Sequence, residues 1–107
     1  FCYSCKDDDP YSCRVLPLLL SKFEPAFQLS DCTFGIDRWK ENTARAFMFS
    51  VAHKVNMLTI ESSFYGTKRP DEKTSCYQPS TMNSYASNIL KAVAVYLGMS
   101  IGTELSR

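Results

Sequence analysis

One segment near the end of the chain has the strongest helical pattern in the sequence. Ser80 can cap the start of a helix, and Gly98 suits its end. Between them, apolar side chains recur at intervals of three and four residues, at Met82, Tyr85, Ala86, Ile89, Leu90, Val93 and Leu97. A helix of about 17 residues with one apolar stripe has to bury that stripe against a sheet or another helix. The rest of the chain must therefore provide a second layer.

The remaining sequence predicts one more helix and three strands. Residues 16–23 form a short helix with Pro17 in its first turn, and this helix ends near Glu24, which precedes Pro25. Residues 31–37, 43–51 and 57–60 are predicted strands, and the second of these is apolar on both faces. Residues 2–12 and 65–79 are predicted loops, and residues 52–56 a turn. This order of elements indicates an α/β fold.

The composition supports one domain and argues against several classes of protein. The chain has 107 residues, of which 45% are hydrophobic, enough for one core and too few for two domains. Because 12 Lys and Arg balance 11 Asp and Glu, we expect no basic surface for a nucleic acid. The longest apolar run, residues 15–20, is too short to span a membrane. The chain starts with Phe1 rather than Met, so we expect it to be a piece of a longer protein.

The cysteines predict reduced thiols in the cytoplasm, because their number is five, which is odd, and their spacing is irregular. Cys2 and Cys5 have the spacing of a metal-binding pair, and Cys13 and Cys32 could complete a zinc site with four thiolate ligands. The later spacings do not repeat the first one. Ordinary thiols are therefore the preferred interpretation, and a structural zinc site is the alternative.

Two charged residues, one directly after a predicted apolar strand and one near the start of another, are candidates for function. Glu61 directly follows the strand at 57–60, at the end where open α/β sheets bind their ligands. We expect this carboxylate to be partly desolvated, which suits a general base or acid; a glutamate that faces solvent or pairs with a lysine is the alternative. Arg45 precedes the apolar run at 46–51, where a guanidinium either grips a carboxylate in a cleft or extends to water.

The single histidine, His53, is predicted to be an exposed turn residue between Ala52 and Lys54. The sequence contains neither a serine-nucleophile elbow nor a glycine-rich phosphate loop. With one histidine and no paired carboxylate motif, the chain has no recognisable set of catalytic zinc ligands.

Three ordered motifs resemble the cytosolic carboxypeptidases, zinc metallocarboxypeptidases that trim glutamates from tubulin tails. They are Cys-Thr-Phe at 32–34, Trp-Lys-Glu-Asn-Thr-Ala-Arg at 39–45 and Leu-Thr-Ile-Glu-Ser-Ser-Phe-Tyr-Gly at 58–66. The segment Arg-Val-Leu-Pro-Leu-Leu-Leu at 14–20 and the final helix are also similar to the family's helices. The resemblance covers nearly all of residues 1–107 and implies the C-terminal part of a mixed-sheet zinc carboxypeptidase domain with a long C-terminal helix.

The resemblance implies roles for two residues. Glu61 aligns with the glutamate that activates zinc-bound water as general base and later passes the proton to the leaving amine. Arg45 aligns with an arginine near the pocket for the terminal residue of the substrate. The family's zinc ligands and its residues for the terminal carboxylate lie upstream of the matching region. We therefore expect no metal ligand in this chain and no activity of the isolated chain.

The resemblance also implies a substrate, a cofactor and a location. The expected activity removes C-terminal glutamates from proteins, with tubulin as the partner, zinc as the cofactor, and no nucleic acid or membrane involved. The expected location is the cytoplasm, in association with microtubules or cilia. Residues 46–50 are more aromatic than the family's pattern, a difference that would reshape the floor of the pocket. Two alternatives stay open: a non-catalytic α/β domain that binds acidic tails or protein partners, and a zinc-binding adaptor that uses the four N-terminal cysteines.

Overall fold

Three short strands form the mixed sheet of the described structure. The structure, a computed structural model, describes residues 2–4, 11–52, 56–63, 65–67 and 75–99. Strand β1 (Cys2–Ser4) lies between β2 (Thr33–Phe34) and β3 (Leu58–Ile60). It pairs in parallel with β2, where Tyr3 is opposite Thr33, and antiparallel with β3, where Tyr3 is opposite Thr59. The described sheet is therefore mixed, in agreement with the predicted α/β class.

Three helices and a second pair of strands complete the described architecture. The helices are α1 (Ser12–Phe23), α2 (Ala44–Val51) and α3 (Pro79–Tyr96). Single turns of 3-10 helix occur at Leu29–Asp31 and Arg38–Lys40. Strands β4 (Gly66–Thr67) and β5 (Ser75–Cys76) pair antiparallel with each other.

The core lies where α1 and α3 pack together over one face of the sheet. Its buried centre consists of Leu16, Leu20, Phe27 and Ala92. Leu58 and Ile60 of β3 pack against this centre from the sheet. Ala92 has no exposed surface, and its small side chain allows α1 and α3 to approach closely. The contact between these two helices is the most extensive one between described elements.

Both predicted helices are confirmed, and their starting points are corrected. Helix α3 begins at Pro79 with Gln78 as its N-cap, so the prediction of Ser80 as the cap is wrong. Gly98 follows the helix with a φ of 75°, a conformation that favours glycine. Helix α1 begins about one turn before the predicted start, which places the fully buried Pro17 in the helix interior. Because proline has no N–H, it cannot donate to the Cys13 carbonyl, and burial of the apolar face outweighs this lost bond.

The strand predicted at 43–51 is wrong, because Ala44–Val51 is helix α2. Thr43 is the N-cap, and its hydroxyl accepts a hydrogen bond from the Ala46 N–H at 3.3 Å. A short apolar run fits a buried strand and a helix equally well by periodicity alone. The cap and the helix-favouring alanines at 44 and 46 decide between them.

The other predicted strands and loops differ from the structure mainly in length. The strand at 57–60 is confirmed as β3, whereas the strand at 31–37 is reduced to β2. Gly35, with a φ of 129°, ends β2 because extended pairing cannot continue through that conformation. The loop predicted at 2–12 contains β1 and the start of α1, and the loop at 65–79 contains β4 and β5. His53 lies outside the described residues.

Within the described ranges, no helix is both long enough and apolar enough to cross a lipid bilayer.

Candidate active site

A cleft of about 330 Å³ lies beside the end of β3. Its lining includes Trp39, Lys40, Thr43, Arg45, Thr59 and Glu61. Leu58 and Ile60 pack into the core, so the alternation of a strand points Thr59 to the opposite face of the sheet. The cleft is therefore on the side of β3 that faces away from the core. Two segments distant in sequence, residues 39–45 and 59–61, meet there.

Glu61 lies in this cleft, directly after the last residue of β3. Its side chain is exposed, so the expectation of partial desolvation is wrong for the described structure. The physical reason is its position, because β3 is an edge strand of the three-stranded sheet and Glu61 is just beyond the end of that strand. An exposed carboxylate is accessible to water and to any ligand in the cleft.

Arg45 lines the same cleft from the first turn of α2. The side chain is half-buried, and its Nη1 atom is shielded from solvent. The sequence left open whether this guanidinium faces a cleft or extends to water, and the structure places it in the cleft. A guanidinium in this position can hold a carboxylate with two parallel hydrogen bonds. The two predicted site residues are thus brought together by the fold.

Thr43 connects the two parts of the 39–45 segment. Its backbone N–H and its hydroxyl both donate to the Lys40 carbonyl oxygen, at 3.1 Å and 2.8 Å. The same hydroxyl accepts the Ala46 N–H as the cap of α2. These bonds hold the turn that ends at Lys40 against the start of the helix that carries Arg45. One threonine therefore links the part of the cleft lining at Trp39 and Lys40 to the part at Arg45.

Trp39 and Lys40 are cleft residues to which sequence reasoning gave no role. The indole of Trp39 is 78% exposed, and the Nζ atom of Lys40 is 4.4 Å from the centroid of its ring. In the sequence they contributed only to the motif at 39–45 that carries the family resemblance. The available signal in the sequence was a single tryptophan in a charged segment. Such a segment favours an exposed tryptophan, and a large apolar side chain that is exposed is more informative than a buried one.

Comparison with known proteins identifies relatives of this chain. It is 38% identical over 63 residues, 59% of the chain, to cytosolic carboxypeptidase 1 of Danio rerio. It is 28% identical over 102 residues, 90% of the chain, to cytosolic carboxypeptidase 3 of Bos taurus. It is 36% identical over 53 residues, 50% of the chain, to cytosolic carboxypeptidase 4 of Homo sapiens. The homologues of this chain are cytosolic carboxypeptidases. The resemblance inferred from the three motifs is confirmed.

The matched region is a small part of each cytosolic carboxypeptidase. The chain spans 6%, 10% and 5% of the lengths of these three relatives. No family model matches the chain. No solved structure matches it significantly.

The zinc that the cytosolic carboxypeptidase resemblance implies does not fit the described residues. Among them, no three His, Cys, Asp or Glu side chains lie together in a group that could hold a metal ion. Cys13 is buried in α1, and the Cys32 thiol donates to the Gln28 carbonyl oxygen at 3.5 Å. Cys5 and the side chain of Cys2 lie outside the description. The alternative site with four thiolate ligands therefore gains no support from the two cysteines that can be assessed.

Proposed function

We propose that this chain is the C-terminal part of the catalytic domain of a metallocarboxypeptidase that removes acidic C-terminal residues from proteins. The observation that carries this proposal is the cleft, because Glu61 and Arg45 both line it although they come from different elements. The homology to cytosolic carboxypeptidases supports the class of reaction. The activity belongs to a longer polypeptide, and the isolated chain is expected to be inactive.

Glu61 serves as the general base in this proposal. Its exposed carboxylate accepts a proton from a water molecule as the water oxygen attacks the last peptide carbonyl. The same carboxyl group then gives the proton to the leaving amine as the C–N bond breaks. The glutamate therefore ends the cycle in its starting charge state, and water is consumed.

Arg45 selects the substrate in this proposal. Its half-buried guanidinium suits bidentate binding of a carboxylate. A C-terminal glutamate, or a glutamate branch, supplies such a carboxylate on its side chain. The proposed substrates are tubulin tails, and the proposed location is the cytoplasm, on microtubules or cilia. The word cytosolic in the relatives' names supports the cytoplasmic location.

The zinc ion of this proposal would be bound by residues outside this chain. The described residues contain no cluster of three or more His, Cys, Asp or Glu side chains that could hold a metal ion, so we assign no step of the reaction to the metal. Its ligands would come from another part of the longer polypeptide. The length of the relatives beyond the matched region leaves ample room for them.

The test is Glu61→Gln in the full-length protein, assayed on a peptide that ends in glutamate. We expect kcat to fall by about 10²–10⁴-fold, the usual contribution of a general base, while the zinc content stays constant. The matched control is Glu41→Gln, since Glu41 is an exposed glutamate outside the cleft lining. Turnover of the Glu61→Gln variant at the wild-type rate would rule out the assigned role.

The alternative, a non-catalytic domain that binds acidic tails, is favoured by one observation. Lys40 and Arg45 outnumber Glu61 in the cleft, so the lining has a net positive charge. The two proposals differ in one measurement: the full-length protein either releases glutamate from a bound acidic peptide or binds that peptide without change.

A further inference from the structure

A polar hollow of about 300 Å³ lies between the end of α1 and the N-terminal part of α3. It is lined by Glu24, Pro25, Ser80, Thr81, Ser84 and Asn88. It shares no lining residue with the cleft beside β3. The Glu24 carboxylate is the one charged group of this lining, and the other polar side chains are hydroxyls and an amide. The hollow is therefore a negatively charged site with no role in the proposed reaction.

The Glu24 carboxylate is buried without a cationic partner among the described residues. It is only 8% exposed, and its oxygens accept from the neutral Ala26 N–H and the neutral Asn88 amide. The lysines nearest to this pair in sequence, Lys22 and Lys91, are exposed and lie outside the lining. A buried carboxylate is normally paired, because the removal of an ion from water is costly. Since Glu24 and Asn88 both line the hollow, a cation that enters it meets this carboxylate.

The charge of the lining selects a cation over an anion. Asn88 lies past the second turn of α3, whereas the positive field of a helix N-terminus falls off within the first turn, so the helix does not offset the carboxylate. A divalent metal ion fits poorly, because no three His, Cys, Asp or Glu side chains of the described residues lie together. The lining instead suits an organic cation that donates hydrogen bonds.

The lining offers acceptors for the three N–H donors of a primary ammonium group. Each oxygen of the Glu24 carboxylate accepts one hydrogen bond within the protein and retains a second lone pair. The Asn88 amide nitrogen donates to Glu24, which leaves the carbonyl oxygen of that side chain as an acceptor. The Ser84 hydroxyl donates to the Ser80 carbonyl oxygen at 3.1 Å, so the hydroxyl oxygen can accept from a ligand. The volume of the hollow is small for a ligand site and suits one side-chain-sized group.

We propose that this hollow binds a primary ammonium group on an aliphatic stem, with the Glu24 carboxylate as its counter-ion. Asn88 and Ser84 accept the remaining N–H donors. The stem extends over the exposed rim at Pro25 and Thr81. A lysine side chain of a protein and a free alkylamine both supply this chemistry. The site does not depend on the proposed function of the cleft.

The test is a titration of the full-length protein with small probes, followed by saturation-transfer NMR. Acetyl-lysine methylamide carries the ammonium group, and acetyl-norleucine methylamide has the same aliphatic stem without it. We expect the lysine probe to bind at least about tenfold more tightly, the effect of hydrogen bonds to a charged group. Butylamine distinguishes the two sources of the group. Equal or tighter binding of butylamine indicates a free alkylamine as the ligand, and tighter binding of the lysine probe indicates a protein side chain.

Three variants connect the binding to the hollow. Glu24→Gln removes the charge and should weaken binding of the lysine probe about tenfold or more, with no change for the norleucine probe. Ser84→Lys places an ammonium group of the protein itself in the hollow and should abolish binding of the lysine probe. Ser87→Lys is the matched control, because Ser87 is exposed on α3 outside the lining, and it should bind the lysine probe as the wild type does. Far-UV circular dichroism establishes that each variant is folded.

The contrary outcomes are equally specific. Equal affinity of the wild type for the lysine and norleucine probes, or no binding of either, would overturn the site. A Ser84→Lys variant or a folded Glu24→Gln variant that keeps the wild-type affinity for the lysine probe would do the same.

Discussion

Glu24 joins α1 to α3, and its removal should be among the most damaging changes away from the cleft. It caps the C-terminal end of α1 and is only 8% exposed. Its Oε1 atom accepts the Ala26 N–H at 2.9 Å, and its Oε2 atom accepts the Asn88 side-chain amide of α3 at 2.9 Å. One carboxylate therefore holds the turn that follows α1 and anchors it to α3.

The structure gives an estimate for Glu24→Ala. Hydrogen bonds to a charged group contribute about 1.5–3 kcal/mol each, and two are lost. Glu24 and Asn88 also line a hollow of about 300 Å³, so water can reach the groups left behind and recover part of the loss. We expect the free energy of unfolding to fall by about 2–4 kcal/mol.

The Glu24→Gln variant removes the charge of the side chain and keeps its shape, so it separates the contribution of the charge from that of the hydrogen-bond geometry. A glutamine keeps both bonds if the Asn88 amide turns to present its oxygen, so the expected loss is below about 1 kcal/mol. Glu41→Ala is the control, because Glu41 is exposed and its loss should change stability by less than about 0.5 kcal/mol. Urea unfolding is best followed by far-UV circular dichroism, because Trp39 is already largely exposed in the folded chain. A Glu24→Ala variant as stable as wild type, or a Glu24→Gln variant that loses as much stability as Glu24→Ala, would refute the reasoning.

Two further changes test the core and the cap by the same unfolding assay. Leu20→Ala should lower the free energy of unfolding by about 3–5 kcal/mol, because Leu20 is 1% exposed. Leu18→Ala is the control, since Leu18 is 47% exposed, and it should lower that free energy by less than about 1 kcal/mol; equal losses would contradict the assigned core. Thr43→Val should lower the free energy of unfolding by about 1–2 kcal/mol, because the helix cap is lost. Thr81→Val, at an exposed position in α3, is the control and should lower it clearly less. An equal effect of the two substitutions would contradict the capping role.

The parts of the fold that the sequence could predict are those with a long or self-contained pattern. Helix α3 has an extended apolar stripe, and Gly98 marks its end. Strand β3 is a short apolar segment, and Glu61 follows it directly, so the position of this residue at a strand end could be predicted. The exposure of Glu61 could not, because it depends on which strand of the sheet lies at an edge.

The parts that could not be predicted depend on contacts distant in sequence. Strand β1 has three residues, and its pairing with both β2 and β3 is what makes it a strand. No pattern within Cys2–Ser4 contains that information. The same holds for the cleft, because residues 39–45 and 59–61 meet only after the sheet and α2 have formed.

Thr43 explains why the strand predicted at 43–51 is a helix, and it also explains which residues line the candidate site. In a strand at 43–51, Arg45 would share one face with Phe47 and Phe49, and its guanidinium would lie among aromatic side chains. The Thr43 hydroxyl instead starts a helix, which leaves Phe47 63% exposed and keeps Arg45 in the cleft. Its second bond, to the Lys40 carbonyl, draws the preceding turn to the same place. The choice between strand and helix at this threonine therefore also decides whether Arg45 and Lys40 line the same cleft.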